Sequence, residues 1–183
     1  MSGESGRPIS ERDRSRATGA QTLSACFLDA SALVKRYTVE PGSVWTLSIT
    51  DPAAGHTILL AEITLAEVAA ALAAKQRAPH GISIEERDRA LSRFLQDCDE
   101  YFLLLQVDRS VIDVAVDLTQ QYRLRGYDAV QLATALVANR DLAQQEHPPL
   151  IFVASDEDLL TAAQAEGLPT GNPLDHPDLE ASP

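Results

Sequence analysis

The stretch ACFLDASALVKRY, residues 25–37, decides the fold prediction because it joins a short apolar strand to a helix through a single acid. Its first part, ACFLDA at 25–30, is an unbroken apolar run up to Asp29, and the helical pattern that follows stops at Pro41-Gly42. Strands that are buried on both faces show such continuous apolar runs rather than alternation. The stretch therefore predicts the first strand of a parallel sheet covered by helices.

The same alternation of apolar runs and helical patterns continues along the chain. Three further runs predict strands: HTILLAE at 56–62, FLLLQV at 102–107 and LIFVAS at 150–155. Helical patterns occupy SVWTLSIT before Asp51-Pro52 and residues 64–76, 83–98 (opened by a capping box at Ser83), 109–124, 127–140 and 156–167. Strand, helix, strand in this order predicts an α/β fold with parallel pairing, whose binding crevice lies at the carboxyl ends of the strands.

Both ends of the chain differ in composition from the middle. Residues 1–24 contain Gly, Ser, Pro and four Arg with almost no large apolar side chain, and residues 171–183 contain three Pro and no apolar periodicity. Such segments cannot offset the entropy lost on ordering. We therefore expect one domain at 25–170 between flexible tails at 1–24 and 171–183.

Composition excludes several classes of protein. A net charge of −12 argues against a generally basic nucleic-acid binder, though not against one with a local basic patch or a bridging cation. The apolar runs are far shorter than the ~18–20 residues of a membrane span, and the N-terminus lacks the apolar core of a secretory signal. Two distant cysteines, Cys26 and Cys98, disfavour a disulfide framework or a thiolate zinc site. We expect a cytoplasmic protein with no membrane partner.

Four acids are isolated within apolar stretches: Asp29, Glu67, Asp128 and Asp156. Two of them follow predicted strands, and the other two lie in the most apolar helices. Each could face water separately, as a helix cap, a turn residue or part of a solvated helix face. If all four converge, their repulsion requires a cation, and carboxylates without clustered His or Cys favour Mg²⁺ or Mn²⁺. Such an ion polarises a phosphodiester and generates hydroxide.

Hydroxyl and basic side chains near these acids suggest how a substrate is held. Ser31 lies two positions after Asp29, where its hydroxyl could contact a water at the metal or a phosphate oxygen, or could simply cap the next helix. Among the basic residues that flank the acids, the candidate phosphate contacts are Arg36, Arg123 and Arg125. The alternative is that helix ends collect Lys and Arg because of the helix dipole.

Four blocks in this order and spacing, FLDASALVKRY, TLAEVAAAL, RGYDAVQLATAL and FVASDEDLLTAA, resemble the PIN-domain ribonucleases, and among them the VapC-type toxins of bacterial toxin–antitoxin systems. The resemblance covers residues 25–170. It implies a three-layer α/β/α sandwich with a central, mostly parallel sheet, Mg²⁺- or Mn²⁺-dependent RNA cleavage, a homodimer and a cognate antitoxin that inserts a segment into the active-site groove. By this resemblance the family's acids and the accompanying hydroxyl fall on Asp29, Glu67, Asp128, Asp156 and Ser31.

Three functions follow as hypotheses. The first is a metal-dependent endoribonuclease in which Asp29, Asp128 and Asp156 ligate the metal, while Glu67 is a ligand or a holder of water at the metal. Asp158 competes with Asp156 for the fourth position. The second is a catalytically inactive PIN-like module that binds RNA or protein. The third is a receiver-like domain phosphorylated on Asp29, which requires a lysine after a later strand, and no lysine follows Lys75.

Overall fold

The computed structural model describes residues 24–176, and a parallel sheet of five strands lies at its centre. The predicted tail residues 1–23 and 177–183 lie outside the described residues. The strands are β1 (Ala25–Leu28), β2 (Thr57–Ala61), β3 (Phe102–Leu105), β4 (Ile151–Val153) and β5 (Thr170–Gly171). Their order in the sheet is β3-β2-β1-β4-β5, and every neighbouring pair is parallel. This confirms the predicted parallel α/β sheet.

Seven α-helices connect the strands within residues 24–176. They are α1 (Ala30–Leu33), α2 (Ser43–Thr50), α3 (Thr64–Arg77), α4 (Ile84–Glu100), α5 (Arg109–Gln121), α6 (Gly126–Gln144) and α7 (Glu157–Ala165). The start of α4 has the capping box expected at Ser83, whose hydroxyl accepts a hydrogen bond from the Glu86 N–H at 3.1 Å. The helix positions confirm those predicted from sequence, although α6 is longer than expected.

Two apolar cores lie on opposite faces of the sheet, because successive side chains of a strand point to opposite sides. Phe27 packs with α5, α6 and α7, and its ring stacks on Phe152 with centroids 5.6 Å apart. Its neighbour Leu28 belongs to the other core, which includes Val68 of α3 and Phe94 of α4. The molecule is thus the three-layer α/β/α sandwich that the resemblance implied.

The end of the domain differs from the prediction of a tail beginning at residue 171. Gly171 pairs with β4 as part of β5, and its carbonyl accepts a hydrogen bond from the Ala154 N–H at 3.2 Å. Asn172 is buried and caps the turn that follows, and the His176 ring stacks on Trp45 at 4.5 Å. The edge of β4 offers this short segment hydrogen-bond partners that its composition does not reveal.

Neither a membrane span nor a disulfide is found within residues 24–176. No helix in this range combines the length and the apolar composition that crossing a bilayer requires. Cys26 and Cys98 are both buried free thiols. Burial raises the pKa of Cys26 to about 11 and that of Cys98 to about 12, so neither side chain is a ready thiolate ligand for a metal.

Candidate active site

Asp29 follows β1 directly and is the N-cap residue of α1. Its Oδ2 accepts a hydrogen bond from the Ser31 N–H at 2.9 Å, and only 6% of the residue is exposed. Burial raises the pKa of Asp29; hydrogen bonds from Ser31 oppose this shift, and the negative charge of Asp128 adds to it. The fold therefore holds a carboxylate that is costly to ionise at the carboxyl end of the central strand.

Glu67 lies in the first turn of α3, in the connection that leads away from β2. It is half-buried, and its Oε2 accepts a hydrogen bond from Nε2 of Gln131. Burial raises the pKa of Glu67, the bond from Gln131 lowers it, and the charges of Asp29 and Asp128 raise it. The sequence allowed Glu67 to lie on a solvated helix face. In the structure the side chain is instead half-buried and hydrogen-bonded to α6.

Asp128 and Asp156 both lie in the N-terminal part of a helix. Asp128 is in the first turn of α6, where its Oδ2 accepts a hydrogen bond from the Arg125 N–H at 3.2 Å. Burial and the nearby charge of Asp156 raise the pKa of Asp128, against the hydrogen bond from Arg125. Asp156 is exposed and caps α7, accepting from the Leu159 N–H at 2.9 Å. Asp156 is therefore a helix cap, as one interpretation of the sequence had it. Its negative charge also raises the pKa of Asp128.

The four acids converge at the carboxyl edge of the sheet. Electrostatic repulsion connects Asp29 with Asp128, Glu67 with both of these, and Asp128 with Asp156. Adjacent parallel strands end at the same edge, which brings together acids that are far apart in sequence. None of the ion pairs formed among residues 24–176 includes one of the four. These four acids, called the acidic pocket below, therefore lack an ion-pair partner within the described fold.

The donor set fits a hard divalent cation that keeps some of its water. In the described part of the chain, no three Asp, Glu, His or Cys side chains are arranged to hold a metal by themselves. Mg²⁺ usually binds one or two protein carboxylates and retains several waters, so it does not need such a closed cage. Burial and neighbouring negative charges raise the pKa values of Asp29, Glu67 and Asp128, and a bound cation would make their ionised forms less costly.

Ser31 supports the site from the end of β1. Its Oγ accepts a hydrogen bond from the Ser155 N–H at 2.9 Å, which joins the loop after β1 to the loop after β4. Hydrogen bonding from its side chain and backbone also lowers the pKa of Asp29. Ser31 is not the N-cap of the next helix, because Asp29 takes that position. The alternative interpretation offered for this serine is therefore wrong.

Two of the three arginines predicted to contact phosphate lie beside acids of the site. Arg123 and Arg125 line a groove of about 330 Å³ that also contains Asp128, Asp156 and Asp158. Asp158 is exposed in this groove, but it is Asp156 that raises the pKa of Asp128. That difference favours Asp156 as the fourth acid of the pocket.

The prediction for Arg36 is wrong. Its Nε donates to Oδ2 of Asp97 at 2.9 Å, its Nη1 donates to Oγ1 of Thr50 at 2.9 Å, and its side chain is only 9% exposed. Arg36 also borders a larger cavity of about 800 Å³ between the end of α3 and the start of α4, which none of the four acids lines. Its guanidinium is committed to a buried carboxylate and is not free to bind phosphate.

Sequence reasoning missed Gln131 and Thr64. Both side chains are fully buried and hydrogen-bond to each other between α3 and α6, and Gln131 also donates a hydrogen bond to Glu67. The one available signal was a glutamine inside the apolar run of α6, a position that favours an aliphatic side chain unless the amide has a partner.

Comparison with known proteins gives the family and supports the fold. The family model described as the PIN domain matches residues 26–165. Ribonuclease VapC45 of Mycobacterium tuberculosis is 31% identical over 144 residues, which cover 77% of this chain and 90% of that protein. FitAcB from Neisseria gonorrhoeae superposes with a TM-score of 0.54 at 18% identity, covering 81% of this chain and 97% of that one. A toxin–antitoxin complex from Klebsiella pneumoniae gives 0.52 at 18% identity, with 81% and 97% covered. The two structures share the fold.

Proposed function

The chain belongs to the PIN domain family, and on that premise we propose that it is a metal-dependent endoribonuclease that hydrolyses RNA phosphodiester bonds. The observation that carries the proposal is that Asp29, Glu67 and Asp128 come from separate segments, are partly or fully buried beside other acids, and have no ion-pair partner among residues 24–176. The similarity to a protein named a ribonuclease supports RNA as the substrate.

We propose that Asp29, Asp128 and Asp156 hold Mg²⁺ or Mn²⁺, with one or two of these carboxylates bound directly and the rest contacting water that the ion retains. When bound, such an ion polarises a phosphodiester, activates water and stabilises the leaving oxygen. Among the chain's own residues, Ser31 orients the Asp29 carboxylate. Glu67, whose Oε2 accepts from Gln131, orients the attacking water with its other oxygen, Oε1. No side-chain nucleophile is needed.

The test is RNA cleavage by the purified chain, freed of any bound partner, with Mg²⁺ or Mn²⁺ and with EDTA. We expect cleavage only with the metal, and a loss on the order of 10²-fold or more for Asp128→Asn, because a carboxylate that binds the ion is gone. Asp158→Asn is the matched control, since Asp158 lines the same groove but is exposed, and it should retain activity.

Cleavage that persists in EDTA, or that is equal in wild type and Asp128→Asn, contradicts the proposal. RNA binding without any cleavage would instead favour the non-catalytic binding module.

Arg123 and Arg125 are proposed to bind phosphates of the RNA beside the acids. Replacing both by Ala should raise KM on the order of 10-fold with little change in kcat, because the lost contacts bind substrate and transition state alike. Each lost phosphate contact should also reduce the slope of log affinity against log salt by about 0.7 for a single strand. Arg109→Ala is the control, since Arg109 is exposed and pairs with Asp113 on α5. An unchanged KM and salt slope in the double variant would remove these arginines from the substrate site.

We further propose that the protein is the toxin of a toxin–antitoxin pair, acts on RNA in the cytoplasm, forms a homodimer and is inhibited by a cognate antitoxin segment in the acidic groove. Support comes from the similarity to a VapC ribonuclease and from the shared fold of a chain solved in a toxin–antitoxin complex. An acidic groove lined by two arginines also suits a peptide segment of mixed charge.

A further inference from the structure

Gln131 is a fully buried polar side chain on α6, one helical turn after Asp128. Its neighbours on the helix, Leu132 and Ala133, belong to the apolar core. Among the described residues, the Gln131 side chain makes all its hydrogen bonds to α3. Nε2 donates to Oγ1 of Thr64 at 2.9 Å and to Oε2 of Glu67, and Oε1 lies 3.3 Å from the Thr64 hydroxyl as its acceptor.

Glu67 fixes the orientation of this amide. Only the Nε2 side of Gln131 can donate to a carboxylate, and a turned amide would set Oε1 against the oxygens of Glu67. In the observed orientation Oε1 is also used, by the buried hydroxyl of Thr64. An apolar side chain of the same size would fill the space but would leave both Thr64 and Glu67 without this partner.

Gln131 also connects the two helices that carry acids of the pocket. Within residues 24–176, all hydrogen bonds between α3 and α6 pass through its side chain. Glu67 is repelled by Asp29 and Asp128, so without a donor on Oε2 its carboxylate would turn away from them toward water. The other oxygen, Oε1, accepts no hydrogen bond from the described residues and remains available to the site.

We propose that Gln131 is a positioning residue for the cleavage reaction, holding the Glu67 carboxylate in the acidic pocket by its Oε2. The inference rests on the proposed function, because the position of Glu67 matters for RNA cleavage only if Glu67 takes part in it. Gln131 itself is shielded in the core, and it acts through Glu67 rather than on the substrate.

The first test is Gln131→Met, which keeps a long unbranched side chain and removes both hydrogen-bonding atoms. We expect kcat to fall on the order of 10- to 100-fold, because a displaced Glu67 no longer orients water, and KM to change by less than about three-fold. Thr134→Val is the matched control, a buried polar residue on the same helix whose hydroxyl donates to the Val130 carbonyl at 2.8 Å, far from Glu67 in the bonding network. It should stay within about two-fold of wild type.

A double-mutant cycle separates positioning from a structural role. If Gln131 acts through Glu67, then Gln131→Met in a Glu67→Ala background should lower cleavage by less than about two-fold more. An equal loss in both backgrounds, with a matching loss of thermal stability, would overturn the inference.

A second readout needs no metal and no cleavage. In NMR spectra of the metal-free chain, the side-chain amide protons of Gln131 should exchange slowly with water and shift clearly in Glu67→Ala. Unchanged resonances would overturn the inference, and this measurement decides the question if Gln131→Met fails to fold.

If wild type does not cleave RNA at all, the proposed function is wrong and the inference is wrong with it. If wild type cleaves and Glu67→Ala does not, while Gln131→Met is fully active, only the inference is wrong.

Discussion

Replacing Asp29 by Asn is expected to lower RNA cleavage by on the order of 10³-fold while raising the thermal stability of the metal-free protein. Asn keeps the size of Asp, and its carbonyl oxygen can still accept the hydrogen bond from the Ser31 N–H. What disappears is a buried negative charge that repels Asp128. The negative charge of Asp29, which we propose binds the metal, therefore lowers the stability of the folded protein when no metal is bound.

The gain in stability should depend on pH in a defined direction. The pKa of Asp29 is raised in the folded protein above its ordinary value of 3.8, so the folded state holds the proton more tightly than the unfolded chain does. The stability that Asp29 contributes is therefore complete below that ordinary value and is lost as the pH rises through the folded-state pKa. The advantage of Asp29→Asn over wild type should be largest at neutral pH and should shrink toward pH 4.

Thermal unfolding in EDTA at pH 7 and at about pH 4 measures this difference, and a gain of 1 kcal/mol corresponds to roughly 2–4 °C in Tm for a chain of this size. Added Mn²⁺ should reverse the order, because it stabilises only the variant that binds it. Asp158→Asn, a change of an exposed acid in the groove, should show neither effect. A metal-free Asp29→Asn protein that is less stable than wild type at pH 7 would contradict the account.

The fold could be predicted, and the four candidate acids could be singled out, because both leave a local trace in the sequence. The runs ACFLDA and LIFVAS are apolar without alternation, which indicates strands covered on both faces, and the order of elements then fixes parallel pairing. Asp29 and Asp156 stand out because charge is rare at the ends of such runs. Asp29 and Glu67 can be recognised in the sequence by their apolar surroundings, which are also what makes their charges costly in the folded protein.

Contacts between distant segments left no such trace. The partner of Arg36 is Asp97, 61 residues further on, and the partners Thr64 and Gln131 are 67 residues apart. The position of Arg36 shortly after Asp29 in sequence suggested a phosphate contact, but the short helix α1 and the turn after it place that side chain against α4 instead. Asp97 is one of several acids on α4, and it is the one that the fold buries completely.

Replacing Asp97 by Asn is expected to destabilise the protein by about 3–5 kcal/mol, the largest stability change we predict. Asp97 is fully buried, and its two oxygens accept hydrogen bonds from Nε of Arg36 at 2.9 Å, Nε of Arg93 at 3.0 Å and the hydroxyl of Tyr37 at 2.9 Å. Without its charge, the guanidinium of Arg36 is left buried and unneutralised. Urea unfolding at pH 7 measures the loss, with Asp99→Asn, an exposed acid on the same helix, as the control.

The same Asp-to-Asn change should therefore have opposite signs at two buried carboxylates. Asp97 forms ion pairs with Arg36 and Arg93, so removing its negative charge leaves the buried guanidinium of Arg36 without a counter-charge. Asp29 faces other acids, so that its charge lacks an ion-pair partner in the described residues and its removal relieves repulsion. The opposite signs would identify Asp97 as a structural acid and Asp29 as one kept for binding a cation. A loss of less than about 1 kcal/mol for Asp97→Asn would show that the ion pair is not the reason this carboxylate is buried.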